Sequence, residues 1–61
     1  MNNNLEFLMK ARRISVAALS KELGVSRGTI YRVLDGGTPS AKLMLKISSY
    51  FGKPVNDVFC A

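Results

Sequence analysis

Helix-breaking residues recur along this 61-residue sequence at intervals that leave room only for short helices. Gly24, the run at 35–39 and Gly52 each stand where a helix is expected to end. No segment sustains the alternation of polar and apolar residues that is typical of strands. The sequence therefore predicts an all-α fold, a compact bundle of about five short helices in one domain covering residues 1–61.

Polar capping residues set the predicted starts of these helices. Asn3, with Glu6 three residues later, resembles a capping box before the first helix. Ser15, Ser26 and Ser40 precede three more segments and are predicted to cap them. These segments are Val16–Leu23, Arg27–Leu34 and Ala41–Phe51, and a short last helix is predicted to begin at Pro54 and end at Phe59.

Apolar residues within the segments recur at the three- and four-residue spacing of a buried helix face. Those predicted to face the core are Leu5, Leu8, Met9, Leu19, Leu23, Ile30, Val33, Leu34, Met44, Ile47, Phe51, Val55 and Val58. With 48% hydrophobic residues the chain can build a core, although its length is near the lower limit for folding without disulfides or metal.

The charge of the chain indicates what kind of partner it binds. Nine Lys and Arg residues against four Asp and Glu residues give a formal net charge of +5, and there is no His to change it near neutral pH. Such an excess on a small surface favours an anionic partner, either a nucleic acid or an acidic membrane. Charge alone does not choose between these two.

Several functional classes are not expected for this composition. The single cysteine, Cys60, cannot form an internal disulfide, which fits a reducing cytoplasm. Without His, and with four scattered acids, the sequence offers no nucleophile–base pair, metal cluster or glycine-rich phosphate loop. No apolar run is long enough for a signal peptide or a membrane span. We therefore expect a cytoplasmic protein that is not an enzyme and that uses no cofactor, metal, membrane or small-molecule ligand.

Residues 16–35 contain the most informative pattern. Two helices that meet at a steep angle need small residues where they approach, a residue tolerant of positive φ at the turn, and an apolar plug at the corner. Ser20, Gly24 and Val25 meet these needs in that order. The segment is therefore predicted to be a helix-turn-helix, and an ordinary helical hairpin with no role in DNA binding is the alternative.

The outward face of the second helix in this pair favours a role in DNA binding. It carries Arg27, Gly28, Thr29, Tyr31 and Arg32, and none of these is acidic. Arginine can donate two hydrogen bonds to guanine in the major groove, and threonine can contact a thymine methyl group or a phosphate. A glycine lets the backbone approach closely. We therefore expect this face to contact base edges.

The sequence resembles the lambda-repressor-like (Cro/repressor, Xre-type) helix-turn-helix family of DNA-binding proteins. The core of the resemblance is the stretch LSKELGVSRGTI at 19–30. Pro39-Ser40, Leu45-Lys46-Ile47, Phe51-Gly52 and the stretch VNDVF at 55–59 also resemble the downstream helices of that family at nearly the usual spacing. The resemblance implies five packed helices, a recognition helix in third place, and a two-fold dimer on a partly palindromic operator of double-stranded DNA.

The resemblance also implies roles for individual residues. Arg27, Gly28 and Arg32 fall on the usual base-contact positions of the family, and Tyr31 lies beside them. The positions where the family holds DNA phosphates carry Ser15, Val16, Ser26, Thr38, Ser40 and Lys42. Helix N-termini at Val16 and Ala41 would add backbone donors. The implied dimer interface lies at 53–59, with Lys53, Pro54, Val55 and Phe59.

Three departures from the family pattern carry expectations of their own. Val16 replaces the usual glutamine, which removes a side-chain contact to phosphate at that position. The loop at 36–39 is about one residue shorter than in many members and lacks their basic residues. Met9 and Leu34 occupy positions where many members have an Arg–Glu ion pair, so we expect an apolar contact to replace it.

Some residues keep two interpretations. Seven cationic side chains, of which Lys42 is already named above, are either phosphate contacts or solvated surface charges. They are Lys10, Arg12, Arg13, Lys21, Lys42, Lys46 and Lys53. Phe7, Leu43 and Tyr50 are apolar where the family is usually polar, which indicates either local packing or a dimer patch. For Phe7 we expect packing against Val58 and Phe59.

Two functional hypotheses follow. The first is a small transcriptional regulator, a Cro-like repressor that occludes a promoter as a dimer. The second is a protein-interaction module of the same fold, such as an antitoxin or anti-repressor. The basic outward face at 27–32 favours the first.

Overall fold

A computed structural model describes residues 3–59 of the chain. In that range it contains five helices and no strand. The helices are α1 (Leu5–Arg12), α2 (Val16–Leu23), α3 (Arg27–Leu34), α4 (Ala41–Phe51) and α5 (Val55–Val58). The predicted all-α fold is confirmed, and the last helix ends one residue before Phe59. Cys60, the single cysteine, lies outside the described residues.

Serine side chains begin the three central helices as predicted. Ser15 Oγ accepts a hydrogen bond from the Ala18 N–H at 3.1 Å, and Ser40 Oγ accepts one from the Leu43 N–H at 3.2 Å. Ser26 does the same for α3. Each bond satisfies one of the N–H groups that the first turn of a helix leaves without a partner. The starts of α2, α3 and α4 are therefore local properties of the sequence.

The first helix starts differently from the prediction. Asn4, not Asn3, occupies the cap position, and its side chain makes no capping hydrogen bond. Asn3 Oδ1 instead accepts from the Leu5 N–H at 3.0 Å. Glu6 forms an ion pair with Lys10 at 3.0 Å, one helical turn along, so the predicted capping box is wrong.

The two asparagines are used to join distant parts of the chain. Asn3 Nδ2 donates to the Val33 carbonyl at 2.8 Å, at the end of α3. The Asn4 backbone N–H donates to the Val58 carbonyl at 2.8 Å, in α5. The start of α1 is thereby fixed against both α3 and α5, which a capping box would not achieve.

All five helices contribute to one core. The buried apolar residues are Leu5, Met9, Leu19, Leu23, Ile30, Val33, Leu43, Ile47, Phe51, Val58 and Phe59. Leu8, Leu34, Met44 and Val55 are half-buried and pack against this cluster. The predicted core is thus largely correct, and Leu43 belongs to it, which settles its interpretation in favour of packing.

The end of α4 is held by an arginine from α1. Arg12 Nη2 donates to the Phe51 carbonyl at 3.1 Å. The Arg12 guanidinium carbon lies 5.9 Å from the centre of the Tyr50 ring and 5.6 Å from that of Phe51. The two rings also meet edge to face. Tyr50 is therefore explained by local packing.

Phe7 does not pack against Val58 and Phe59 as predicted. Its side chain is 72% exposed, whereas Val58 and Phe59 are both buried. The reason is the register of α1: Leu5 and Met9 face the core, so the position between them points to the outside.

Gly37 occupies a position that only glycine fits. A Cβ atom there would lie 2.8 Å from the Arg32 carbonyl oxygen and 2.7 Å from Arg32 Cγ. The Gly37 N–H also donates to that carbonyl at 2.8 Å, so the loop cannot easily move away. From sequence this residue was identified only as part of a helix breaker.

We predict that Gly37→Ala destabilises the fold by about 1–3 kcal/mol, because the new methyl group overpacks backbone that cannot shift. Gly28→Ala is the matched control, since the nearest atom there, Ser26 Oγ, is 3.9 Å from the new Cβ. In α3 that change should stabilise by up to about 1 kcal/mol through helix propensity. Urea unfolding followed by circular dichroism measures both, and equal effects of the two changes would contradict the prediction.

Candidate nucleic-acid interface

The corner between α2 and α3 is built as the sequence predicted. Gly24 ends α2 with φ +70°, in the left-handed region that favours glycine. The Val25 N–H donates to the Ser20 carbonyl at 3.0 Å, and the Val25 side chain packs against the core. Ser20 is buried, and its hydroxyl donates to the Ala17 carbonyl at 2.9 Å. No bulky or unpaired group therefore stands between the two helices.

The inward side of α3 fixes the orientation of its outward side. Ile30 and Val33 are buried in the core. Because these two residues anchor the helix, its opposite face is presented to solvent as a rigid surface. Arg27, Gly28, Tyr31 and Arg32 are exposed on it, with Tyr31 at 58%.

The two arginines of this face are free to bind a partner. Within residues 3–59, neither the Arg27 nor the Arg32 guanidinium has a hydrogen bond or an ion pair. The ion pair on α1, between Glu6 and Lys10, involves neither of them. Arginine binds guanine edges or phosphates with a planar fork of donors, and here that fork is not used by the protein itself.

Thr29 is placed differently from the other residues of this face. It is half-buried, and its Oγ1 lies 2.8 Å from Ser26 Oγ. Ser26 Oγ already accepts from the Thr29 N–H, and the two hydroxyls share one hydrogen bond between them. One hydroxyl proton of the pair therefore remains available to an outside acceptor. Spacing alone did not predict this serine–threonine pair.

Arg32 is further positioned by the loop that follows α3. The Gly37 backbone lies against the stem of Arg32, near its Cγ, and the Gly37 N–H binds the Arg32 carbonyl. The missing side chain at Gly37 therefore leaves room for the Arg32 stem. Nothing in the sequence spacing pointed to this contact, because it depends on how the loop folds back.

The predicted phosphate-binding residues offer polar groups at the surface. Ser15, Ser26, Thr38, Ser40 and Lys42 are all exposed. In the described part of the chain, the first two N–H groups of α2 and of α4 have no acceptor. Such N–H groups bind anions together with the positive end of the helix dipole.

Val16 can contribute to such a site only through its backbone. Its side chain is half-buried and packs against the core, whereas its N–H at the start of α2 has no acceptor among residues 3–59. This placement agrees with the expectation that a side-chain contact to phosphate is lost at this position.

Seven cationic side chains were predicted to be either phosphate contacts or solvated charges, and three of them form contacts within the protein. Lys10 pairs with Glu6, and Arg12 binds the end of α4. Lys46 Nζ donates to the Leu23 carbonyl at 3.2 Å. The side chains that remain exposed without such a partner in the described range are Arg13, Lys21, Lys42 and Lys53.

The residues implied for a dimer interface are not equally accessible. Lys53 and Pro54 are exposed, and Val55 is half-buried. Phe59 is only 8% exposed and belongs to the core of its own chain. Its ring is therefore not available to a second chain, which corrects the set that the resemblance implied.

The described residues show neither a metal cluster nor a membrane-spanning helix. Residues 3–59 contain no group of three or more His, Cys, Asp or Glu side chains that could hold a metal ion. None of the helices described in the structure has the length and apolar character needed to cross a membrane.

Comparison with known proteins agrees with this architecture. The sequence profile described as helix-turn-helix matches residues 5–58. An uncharacterized HTH-type transcriptional regulator of Methanocaldococcus jannaschii is 38% identical over 60 residues, covering 97% of this chain and 91% of that protein. Both matches include the α2–α3 corner and the helices on either side of it. The chain therefore belongs to the helix-turn-helix family of the Cro/C1 type, as its resemblance to lambda-repressor-like proteins predicted.

Proposed function

We propose that the chain binds double-stranded DNA in a sequence-specific manner and regulates transcription. The observation that carries this proposal is the outward face of α3, where Arg27 and Arg32 have no partner within the described chain and no acid stands between them. A face held rigid by Ile30 and Val33 can enter the major groove, where arginine discriminates guanine from other bases.

The roles of the other site residues follow from the same placement. Tyr31, Gly28 and Thr29 lie on the same helix as the two arginines and complete the base-reading face, whereas Ser26, hydrogen-bonded to Thr29, is a phosphate contact. Phosphates on either side would be held by the N-termini of α2 and α4, with help from Lys42. The contacts to bases determine sequence preference, and the contacts to phosphates fix the position of the protein on the duplex.

We further propose that two copies bind a partly palindromic operator and repress by occluding a promoter. The relative named as a transcriptional regulator supports the regulatory role. Residues 1–61 would act as one domain, with the reading element at 16–35, and without catalytic activity, cofactor or small-molecule ligand. A cytoplasmic location is part of the same proposal.

Replacing either arginine should lower affinity and change sequence preference. We expect Arg27→Ala and Arg32→Ala each to weaken binding to the preferred duplex by about 1–3 kcal/mol and to relax base preference at the position contacted. Lys21→Ala is a control for base preference, which it should leave unchanged, because this exposed residue of α2 lies outside the base-reading face. Titrations against the preferred duplex and single-base variants measure these effects. If the arginine variants lost equal affinity for every duplex, both residues would be phosphate contacts instead.

The most direct test is selection of bound duplexes from a random pool. We expect a consensus whose two halves are related by two-fold symmetry, with centres about one helical turn of DNA apart. Failure to enrich any duplex would favour the alternative function, a module that binds another protein.

A further inference from the structure

Three large apolar side chains in the described structure are more than half exposed: Phe7 at 72%, Leu45 at 64% and Tyr31 at 58%. Tyr31 belongs to the base-reading face. Phe7 and Leu45 have no place in the proposed DNA contacts, and they lie in different surroundings.

Phe7 lines two hollows of the surface. The larger, of about 410 Å³, is also lined by Asn4, Leu8, Lys53, Asn56 and Asp57. The smaller, of about 310 Å³, is also lined by Asn3, Asn4, Glu6 and Lys10. A protruding ring and a hollow that could receive a similar ring therefore belong to the same patch. This combination is what a two-fold contact between identical surfaces requires.

The charges of this patch are also self-complementary. Lys53 and Asp57 both line the larger hollow, and both are exposed without an ion pair in the described chain. In a two-fold arrangement, Lys53 of one copy can lie opposite Asp57 of the other, and the reverse pair forms by symmetry. This arrangement does not place Lys53 opposite Lys53 or Asp57 opposite Asp57, so it avoids repulsion between like charges.

The surroundings of Leu45 lack this property. Its hollow, between α2 and α4, is lined by Lys42 and Lys46 with Glu22 as the acidic side chain. Two copies joined there would bring an excess of positive charge together. Lys42 is also assigned to phosphate, so this surface is not free when DNA is bound.

We propose that Phe7 is the central contact of a two-fold interface with a second copy of this chain, flanked by reciprocal Lys53–Asp57 pairs. This inference rests on the proposed dimeric function, and it adds α1 to an interface that the resemblance confined to residues 53–59. Phe7 and Asp57 belong to neither the base-reading nor the phosphate-binding set. The proposal assigns Lys53, which had two interpretations, to the contact between copies and not to phosphate.

The size of the patch sets the expected strength of this contact. A buried phenylalanine contributes about 150–250 Å², so two of them supply well under the roughly 1,200–2,000 Å² of a stable interface. We therefore expect weak association in free solution and a clear effect when DNA holds the two copies side by side. It should be visible as cooperative occupation of the two halves of an operator.

The experiment compares Phe7→Ala with Leu45→Ala, two changes that each remove an exposed apolar side chain. Sedimentation equilibrium at millimolar protein should show that Phe7→Ala weakens self-association about thirtyfold or more, and that Leu45→Ala changes it less than about twofold. On a two-half-site duplex, Phe7→Ala should lose cooperativity while keeping the wild-type affinity for a single half-site. Circular dichroism verifies that each variant is folded.

Charge reversal provides a second test that does not depend on removing apolar area. Lys53→Asp and Asp57→Lys should each weaken association, and the double variant should restore it, because the reciprocal pairs are then re-formed with exchanged signs. A merely structural role of either residue would not produce this restoration.

The proposal is overturned if the wild type stays monomeric at millimolar concentration and fills two half-sites independently, or if Phe7→Ala and Leu45→Ala have equal effects. Failure of the DNA-binding function gives a different result. No duplex would then be bound by any variant, whereas sedimentation would still report self-association and its dependence on Phe7.

Discussion

Raising the salt concentration from about 50 to about 200 mM should weaken binding of the chain to its selected duplex about a thousandfold. The estimate assumes contact with about six phosphates, which gives a slope near −5 in a plot of log affinity against log salt. Each contact releases counterions from the DNA, and more salt opposes that release. Fluorescence anisotropy titrations at four or more salt concentrations measure the slope.

Two lysine variants test which residues contribute to this salt dependence. Lys42→Ala should reduce the slope by about 1, because Lys42 is exposed in the first turn of α4 beside free N–H groups. Lys46→Ala should leave the slope nearly unchanged, because its ammonium group donates to the Leu23 carbonyl within the protein. Affinity that does not respond to salt would favour a protein partner over DNA.

The parts of the fold that sequence predicted correctly depend on near neighbours in the chain. A serine cap acts on an N–H group three residues away, and Gly24 ends α2 through its own positive φ. The boundaries of α2, α3 and α4 are therefore encoded within one helical turn of each end. The core pattern has the same origin, because helical periodicity decides which side of each segment faces inward.

The predictions that were wrong or incomplete involve partners far along the chain. Asn3 binds a carbonyl of Val33, thirty positions away, and this contact replaces the expected capping box. Gly37 fits against Arg32 only because the loop folds back on α3. The spacing of residues in the sequence does not predict such contacts. The base-reading face could be identified from residue types, whereas the support of Arg32 by the loop required the three-dimensional structure.

Phe7 is also a residue whose environment could not be predicted from sequence, in this case because it is exposed and not buried. Its apolar character predicted packing, and only the register of α1 relative to Leu5 and Met9 places it outside. An exposed phenylalanine on a basic domain then becomes informative about assembly, because the fold itself gives it no buried partner.

Met9→Ala should destabilise the chain by about 2–5 kcal/mol. Met9 is buried in the core, and half-buried Leu34 packs against the same core at the end of α3. These are the positions where the resemblance implies an Arg–Glu ion pair in many family members. A domain of this length has about 3–9 kcal/mol of total stability, so the substitution should remove a large share of the free energy of unfolding. Urea unfolding measures the loss, and a value below about 1 kcal/mol would contradict an important packing role.

A double-mutant cycle tests whether the two side chains act together. If an apolar contact has replaced an ion pair, Met9→Ala and Leu34→Ala should show a coupling energy of about 0.5–3 kcal/mol. Met9→Arg alone should be strongly destabilising, because it buries an unpaired charge. Adding Leu34→Glu should recover part of that loss, since the partner charge and its hydrogen bonds are then supplied. If the second substitution gave no recovery, the two positions would not be partners across α1 and α3, and the core would stabilise each of them independently.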